Sequence, residues 1–588
     1  MNELVDSALR SRAVAAARGL EPFDLLLKGG TVVDVGTGEL RPADVGIVGP
    51  LIASVHPRGS RSDADRVLDV TGRYLAPGFI DCHVHFESSM LTPAGYCQAV
   101  VPRGTTTVFA DPHELANVAG VEGVRYAVEA SRGLPLRFIF QVPSCVPPVP
   151  GLEMSGADFS GTDVALLLEW PEMAGVAEVM DMRGVLESSP RMVEVVEAGI
   201  ASGKLVEGHA FGLSGEELQG YLAAGIGSDH EIIGAEDAVE KLRSGMTVEL
   251  RGTFPDVLEP LVVELNKLPT VPTNLVIASD DVFAYALLDE GAVDDVLRRL
   301  IRYGLDPVKA IRCATLNGAY RLRRTDLGFI GPGRLADVIV LSDLTNLVVE
   351  DVFCSGRHVA SGGSTTEPWA DQATGVLHGT VKLPRFSAGD FTLHLPVADG
   401  PARIRLISGP VITAWDEGTL QVRDTVVEVP DDLLLQAVVH RYGRATASPV
   451  IGVLSNWGRW TGAIATTVSH DTHNLVVFGR DPSDMALAAN TVVASEGGVA
   501  VVRDGQVLAA IELPIAGLLS PESPGQVAAK QRRLVAAASE VAELLFPLRY
   551  PIMQVMVASL ACLAGPHVTD RGLADGSTGE LVSSLLAS

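Results

Sequence analysis

Residues 78–90 read GFIDCHVHFESSM, an apolar, strand-type run that ends in His83 and His85 and is followed by Glu87, Ser88 and Ser89. In a strand, residues two apart project to the same face, so both imidazoles address one space if the strand ends in a cleft. The chain has thirteen histidines and places two of them here. A lone histidine is more readily a core or surface residue than a ligand; a His-x-His pair at a strand end shifts that balance. Such a pair needs partners from other strands, so the rest of the chain is read outward from it.

Between about residues 75 and 325 the sequence alternates buried-type strands with helical stretches, the pattern of a parallel sheet. Eight strand candidates stand out: APGFIDCHVH (76–85), TTTVFADPHE (105–114), LRFIFQVPSC (136–145), GVAEVMDM (175–182), KLVEGHA (204–210), GIGSDHE (225–231), MTVELR (246–251) and NLVIASDD (274–281). Eight strands in about 250 residues is the size of a (β/α)8 barrel, in which the C-terminal strand ends face the active site. At or just beyond those ends fall His83, His85, Asp111, His113, Glu114, Glu178, His209, His230 and Asp280. Imidazole and carboxylate donors suit zinc, manganese or iron. His83, His85, Glu178, His209, His230 and Asp280 are more donors than one catalytic ion takes while keeping an open position. Two ions are therefore expected, with Glu178 bridging them and with a shared water or hydroxide activated between them.

The chain has 588 residues, of which 47% are hydrophobic and 20% charged, a globular composition too long for one core. Residues 24–55 and 333–363 both read as short β-branched runs broken by glycine turns. One small β domain built from both flanks is the economical reading. The expected organisation is 1–75 as a leading helix and the first part of a β-sandwich, 76–325 as the barrel, 326–375 as the rest of the sandwich, and 376–588 as a C-terminal α/β domain. The fold class is thus α/β, a barrel inserted in a small β-sandwich with a further α/β domain.

A net charge of −27 disfavours a nucleic-acid or anionic-membrane partner. The six scattered cysteines form no CxxC pair, and no apolar run is long enough to span a bilayer. The first residues lack the apolar core of an export signal. A reduced, cytoplasmic setting is expected.

The stretches GFIDCHVHFESSM, DPHELANV (111–118), EVMDMRGV (178–185), SDHE (228–231), SDDV (279–282) and GAIATTVSHDTHN (462–474) resemble, segment by segment, the adenine deaminase family of the amidohydrolase superfamily. Hydantoinase-type, dihydroorotase-type and phosphotriesterase-like members commonly carry a carboxylated lysine on strand 4, where this chain has Glu178. The resemblance implies hydrolysis of adenine to hypoxanthine and ammonia in purine salvage. A metal-bridging hydroxide would attack the amino-bearing ring carbon. It implies two divalent ions, with manganese or iron favoured over zinc, and self-association as a homodimer or larger homo-oligomer. Residues 440–460, HRYGRATASPVIGVLSNWGRW, depart from the glycine-rich HKGTGN-like run found in many members.

Asp280, a ligand and a carboxylate at the mouth, is the candidate to accept the water proton and pass it to the leaving amine, ordinary acid/base work. Glu87, Asp111, His113 and Glu114 are candidates for proton delivery or substrate recognition, or for orienting the ligand imidazoles. Ser88, Ser89, Asp281 and Arg183 are weaker substrate candidates. In SHDTHN, His470, Asp471, His473 and Asn474 either reach over the barrel or form a local turn, and Trp457 and Trp460 either cover a base or pack between domains. The alternatives are an amidohydrolase acting on a different aminopurine, a cyclic amide or an N-acyl amino acid, and a noncatalytic structural relative, which would have no need of all six donors.

Overall fold

The computed structural model describes residues 6–586 apart from 253, 372–376, 411, 546–549 and 551. The eight expected barrel strands are present as Phe79–Val84, Thr105–Ala110, Arg137–Val142, Met173–Val179, Leu205–Gly208, Ser228–Asp229, Thr247–Leu250 and Leu275–Ile277. Each pairs in parallel with its neighbour in sequence order, in one run of five and one of three. At one seam the Gly227 N–H donates to the Val206 carbonyl at 2.9 Å. At the other, Val84 forms a parallel bridge to Asp280, whose N–H donates to the His83 carbonyl at 3.0 Å.

The strands are covered on both faces: every residue of Phe79–Val84 and of Thr105–Ala110 is buried. The surrounding helices carry apolar stripes at helical spacing. On Pro190–Ala201 the inward residues are Met192, Val195, Val196 and Gly199.

Strand Tyr74–Pro77, just before the barrel, pairs antiparallel with Val338–Leu341, just after it, and parallel with Thr31–Asp34. Both flanks therefore share a seven-stranded sheet. A four-stranded sheet, Leu51–His56, Asp44–Val48, Phe23–Lys28 and Ala64–Asp69, completes the sandwich. Leu25, Leu27, Val45, Leu75, Val338 and Phe353 fill the space between the layers, and full burial of such side chains is worth roughly 1.5–3 kcal/mol each. The leading helix Ser7–Ala17 is N-capped by the Asp6 carboxylate and packs Leu9, Ala13 and Ala16 on the same body.

The C-terminal region is built on a nine-stranded sheet whose pairings are antiparallel except for Gly400–Ser408 with Val450–Ser455. Its helices lie beside this sheet and do not cross over between parallel strands. Tight turns connect neighbours instead: Asp504 and Gly505, both at positive φ, join Gly498–Arg503 to Gln506–Glu512, the Asp-Gly chemistry of a hairpin. One face packs on helix Pro482–Ala494. The other face, with helix Pro524–Val541, belongs to the same hydrophobic core as the barrel.

Candidate metal centre and substrate cavity

All six donors come together at the C-terminal end of the barrel, each 4% exposed or less. His83 is the penultimate residue of the first strand and His85 directly follows it, and their Nε2 atoms lie 3.0 Å apart. Glu178, on the fourth strand, stands at the centre. Its Oε1 is 3.1 Å from His85 Nε2 and 3.7 Å from His83 Nε2. Its Oε2 is 2.7 Å from His209 Nδ1 and 3.2 Å from His230 Nε2. Asp280 Oδ1 sits on the Oε1 side, 3.4 Å from His85 Nε2 and 3.6 Å from His83 Nε2. The two carboxylate oxygens thus divide the donors into two sets. Asp280 takes a left-handed backbone (φ 59°), an uncommon conformation outside glycine that Asp tolerates better than most residues.

Burial alone disfavours a charged Glu178, but His230, His113 and His209 hold its carboxyl well below the usual range. Burial and the neighbouring His230 and His85 keep the His83 imidazole well below its ordinary value. At His85, burial and His113 are outweighed by Glu178 and Asp281, which push the imidazole up to about 10. Such a field attracts cations. A convergent set made only of imidazole nitrogens and carboxylate oxygens fits a divalent-metal centre.

Above these donors lies a cavity of about 120 Å³, far smaller than the pockets that hold drug-sized ligands. His85, Glu178, His209, His230, Asp280, His113 and Asp281 all reach its wall. Glu87, Ser88, Asp111 and Glu114 are buried but lie behind that wall. Ser88 Oγ lies in hydrogen-bonding contact with both Glu114, at 2.8 Å, and Asp281, and Asp111 Oδ2 is 2.9 Å from His113 Nδ1. Burial and the neighbouring Glu114 push the Glu87 carboxyl well above its ordinary range. Ser89 is spent on a local turn, donating to the Phe86 carbonyl at 2.5 Å, and Arg183 is a surface residue bonded to Glu187 at 2.9 Å.

The opposite wall comes from the C-terminal region: His470, Asp471, Tyr550, Met553, Val557, Leu560 and Leu563. The SHDTHN segment therefore reaches the barrel, and Asn474 fastens it there by donating to the Met154 carbonyl at 2.9 Å. Fully buried Arg441 supports the segment from behind, donating to the carbonyls of His473 and Ala516. Residues 440–460 contribute nothing to the cavity wall among the described residues. Trp457 and Trp460 stack on Phe478, with centroids 5.4 and 5.9 Å away, inside the core.

Arg251 and Glu231 line the cavity unanticipated. Arg251 bonds both Glu231 and Asp280. Its signal is position, directly after the seventh strand, but arginine lies outside the metal-ligand residue types. Phe211, Phe254 and the apolar residues from 550 onward carry no such signal, because tertiary docking alone brings them there.

Residues 74–359 match the amidohydrolase family, and residues 410–580 match the adenine deaminase C-terminal domain. Adenine deaminase from Klebsiella pneumoniae (strain 342) is 51% identical over 99% of this chain and 97% of its own length. Adenine deaminase 2 from Rhizobium meliloti (strain 1021) is 50% identical over 99% of this chain and 98% of its own. The Moorella thermoacetica adenine deaminase is 39% identical over 96% of each chain. The chain belongs to the adenine deaminase family of amidohydrolases.

Proposed function

We propose that the chain hydrolyses adenine to hypoxanthine and ammonia at a centre of two divalent ions held by His83, His85, Glu178, His209, His230 and Asp280. One observation carries this reading: the two oxygens of Glu178 face two separate donor sets at the floor of a small, buried cavity. The near full-length identity to adenine deaminases supports the substrate. When bound, such ions supply Lewis acidity and make hydroxide accessible near neutral pH.

Asp280 accepts the proton released by the attacking water and returns it to the departing amine, so its carboxylate must be ionised and correctly aimed. Arg251, bonded to Asp280 and to Glu231, does both. Asp281 also faces the cavity; burial opposes its charge, but His470, His85 and Ser88 hold its carboxyl below the ordinary range. It is placed to accept from a purine N–H. Glu87, Ser88, Asp111 and Glu114 act from behind the wall, orienting the groups that do touch substrate. Phe211, Phe254, Tyr550 and Leu560 exclude water and offer apolar surface to the flat ring.

Manganese or iron is the favoured metal, and the same donors admit zinc. The working units are 1–75 with 326–375, 76–325 and 376–588, supported by the sheet that both flanks share. A homodimer or larger homo-oligomer, the commonest soluble assembly, working in the cytoplasm in purine salvage completes the reading. Among the described residues no helix is long and apolar enough to cross a membrane.

The test is ammonia release by manganese-loaded protein offered adenine, guanine, cytosine or a hydantoin, with adenine absorbance followed in parallel. Turnover of adenine far above the others is expected. Preference for the hydantoin would replace this reading with that of a cyclic amidohydrolase.

A further inference from the structure

A second convergence of donors lies where the barrel meets the C-terminal region. His113 opens helix His113–Ala119 after the second barrel strand. His470 and Asp471 lie between strands Ala463–Thr466 and Leu475–Gly479 of the C-terminal sheet. One donor atom from each of the three lies within 4.8 Å of the others. All three residues are at most 5% exposed.

The hydrogen bonding around the rings settles which nitrogens are free to coordinate. His113 Nδ1 is 2.9 Å from Asp111 Oδ2 and 3.3 Å from Glu178 Oε1. Ionised carboxylates only accept, so in the neutral ring, the form a metal binds, Nδ1 carries the proton and Nε2 keeps its lone pair. That Nε2 has no hydrogen-bond partner and lies 3.8 Å from Asp471 Oδ1, while Asp471 Oδ2 is also unpartnered. A carboxylate holding the far nitrogen of an imidazole is how proteins aim a ligand at a metal.

His473 behaves differently. The Ser469 N–H, which can only donate, is 3.2 Å from His473 Nδ1, so in the neutral ring the proton sits on Nε2. That nitrogen is 3.8 Å from Glu114 Oε2, and it faces Glu114 as a donor without a lone pair for coordination. His470 Nδ1 is 3.4 Å from Glu114 Oε1 and 3.6 Å from Asp471 Oδ1, and its Nε2 has no partner. The Nδ1–Glu114 separation is beyond the usual hydrogen-bond range and the Nδ1–Asp471 separation is longer still. Buried groups left unsatisfied carry the cost of their desolvation without compensation. A cation among them removes that cost. Two imidazoles and a carboxylate, with remaining positions open to the cavity, suit manganese, iron or zinc.

We propose that His113, His470 and Asp471 hold a third divalent cation, distinct from the pair around Glu178, which ties the C-terminal segment to the barrel. Two of its three ligands come from one region and one from the other, so the ion closes the cavity wall at the junction. The proposal does not depend on which substrate the cavity takes.

The test uses full-length protein reconstituted with manganese(II) and freed of excess metal. Manganese per chain is counted by elemental analysis, and crystals of the same sample give an anomalous difference map. Three equivalents are expected, with a peak between His113, His470 and Asp471. His470→Ala and Asp471→Asn should each lose that one equivalent and keep the two at Glu178. A wild-type map with peaks at Glu178 but none at this junction, or with the third ion elsewhere, overturns the proposal without recourse to any variant. A peak at the junction with none at Glu178 supports it and defeats the binuclear reading above, so the two failures are told apart.

Discussion

The two walls of the cavity are built from different material. The barrel wall is made of short polar ends of separate strands, and most of what it offers is ionisable, among them His85, Glu178, His209, His230, Arg251, Asp280 and Asp281, with Met180, Phe211 and Phe254 between. The facing wall from the C-terminal region offers His470 and Asp471, then turns apolar with Tyr550, Met553, Val557, Leu560 and Leu563. Charge is gathered on the rigid scaffold, where parallel pairing fixes each donor relative to the next. The other wall covers, desolvates and shapes. A preorganised polar set is worth most when water is excluded from it, so each wall depends on the other.

That division yields graded expectations. Asp280→Asn strikes the barrel wall at its proton-transfer group and should lower kcat by about 10²–10⁴-fold, measured as ammonia release alongside metal content. Asp111→Asn acts one bond away. Loss of such an outer partner typically weakens metal binding by about 10–100-fold, here at the His113 position, and a manganese titration of the variant should show it with the Glu178 pair still filled. Leu560→Ala trims the apolar wall and should raise KM for adenine about tenfold with kcat little changed, since shape-filling contacts of this kind discriminate on that scale. A kcat loss as large as that of Asp280→Asn would erase the contrast between the walls. Trp457→Ala should leave KM unmoved. Its ring is buried on Phe478 away from the cavity, so about 3–5 kcal/mol of stability is at stake, read from denaturant unfolding.

The two walls also differ in how far the amino-acid sequence reveals them. The barrel was legible because its strands are buried on both faces, which forces continuous apolar runs, and because its polar residues sit at strand ends where the topology must bring them together. His83, Glu178 and Asp280 are 95 and 102 residues apart in sequence, yet each could be placed by that one rule. The same rule does not separate cavity wall from support at Glu87, Ser88, Asp111 and Glu114, which follow strand ends but turn behind the wall, because local backbone direction after the strand is a matter of loop geometry. Arg251 obeys the rule but is not a metal-ligand type; Glu231, a carboxylate directly after His230, obeys it in residue type as well. The facing wall was mostly illegible: Met553, Val557 and Leu560 carry no local pattern that distinguishes them from core. His470 and Asp471 could be suspected from their composition, but only docking of the two regions decides between a local turn and a second wall. The C-terminal region is α/β as its alternating strand and helix text implies, but that text does not reveal that its strands pair antiparallel through turns.

The central claim is that the strand-end donors around Glu178 hold the metal that the deamination requires. The most direct measurement is metal content and adenine turnover of His83→Ala beside the wild-type protein, both reconstituted with manganese. The account predicts that metal at the Glu178 centre and turnover fall together. Full metal content with undiminished turnover in the variant would contradict it.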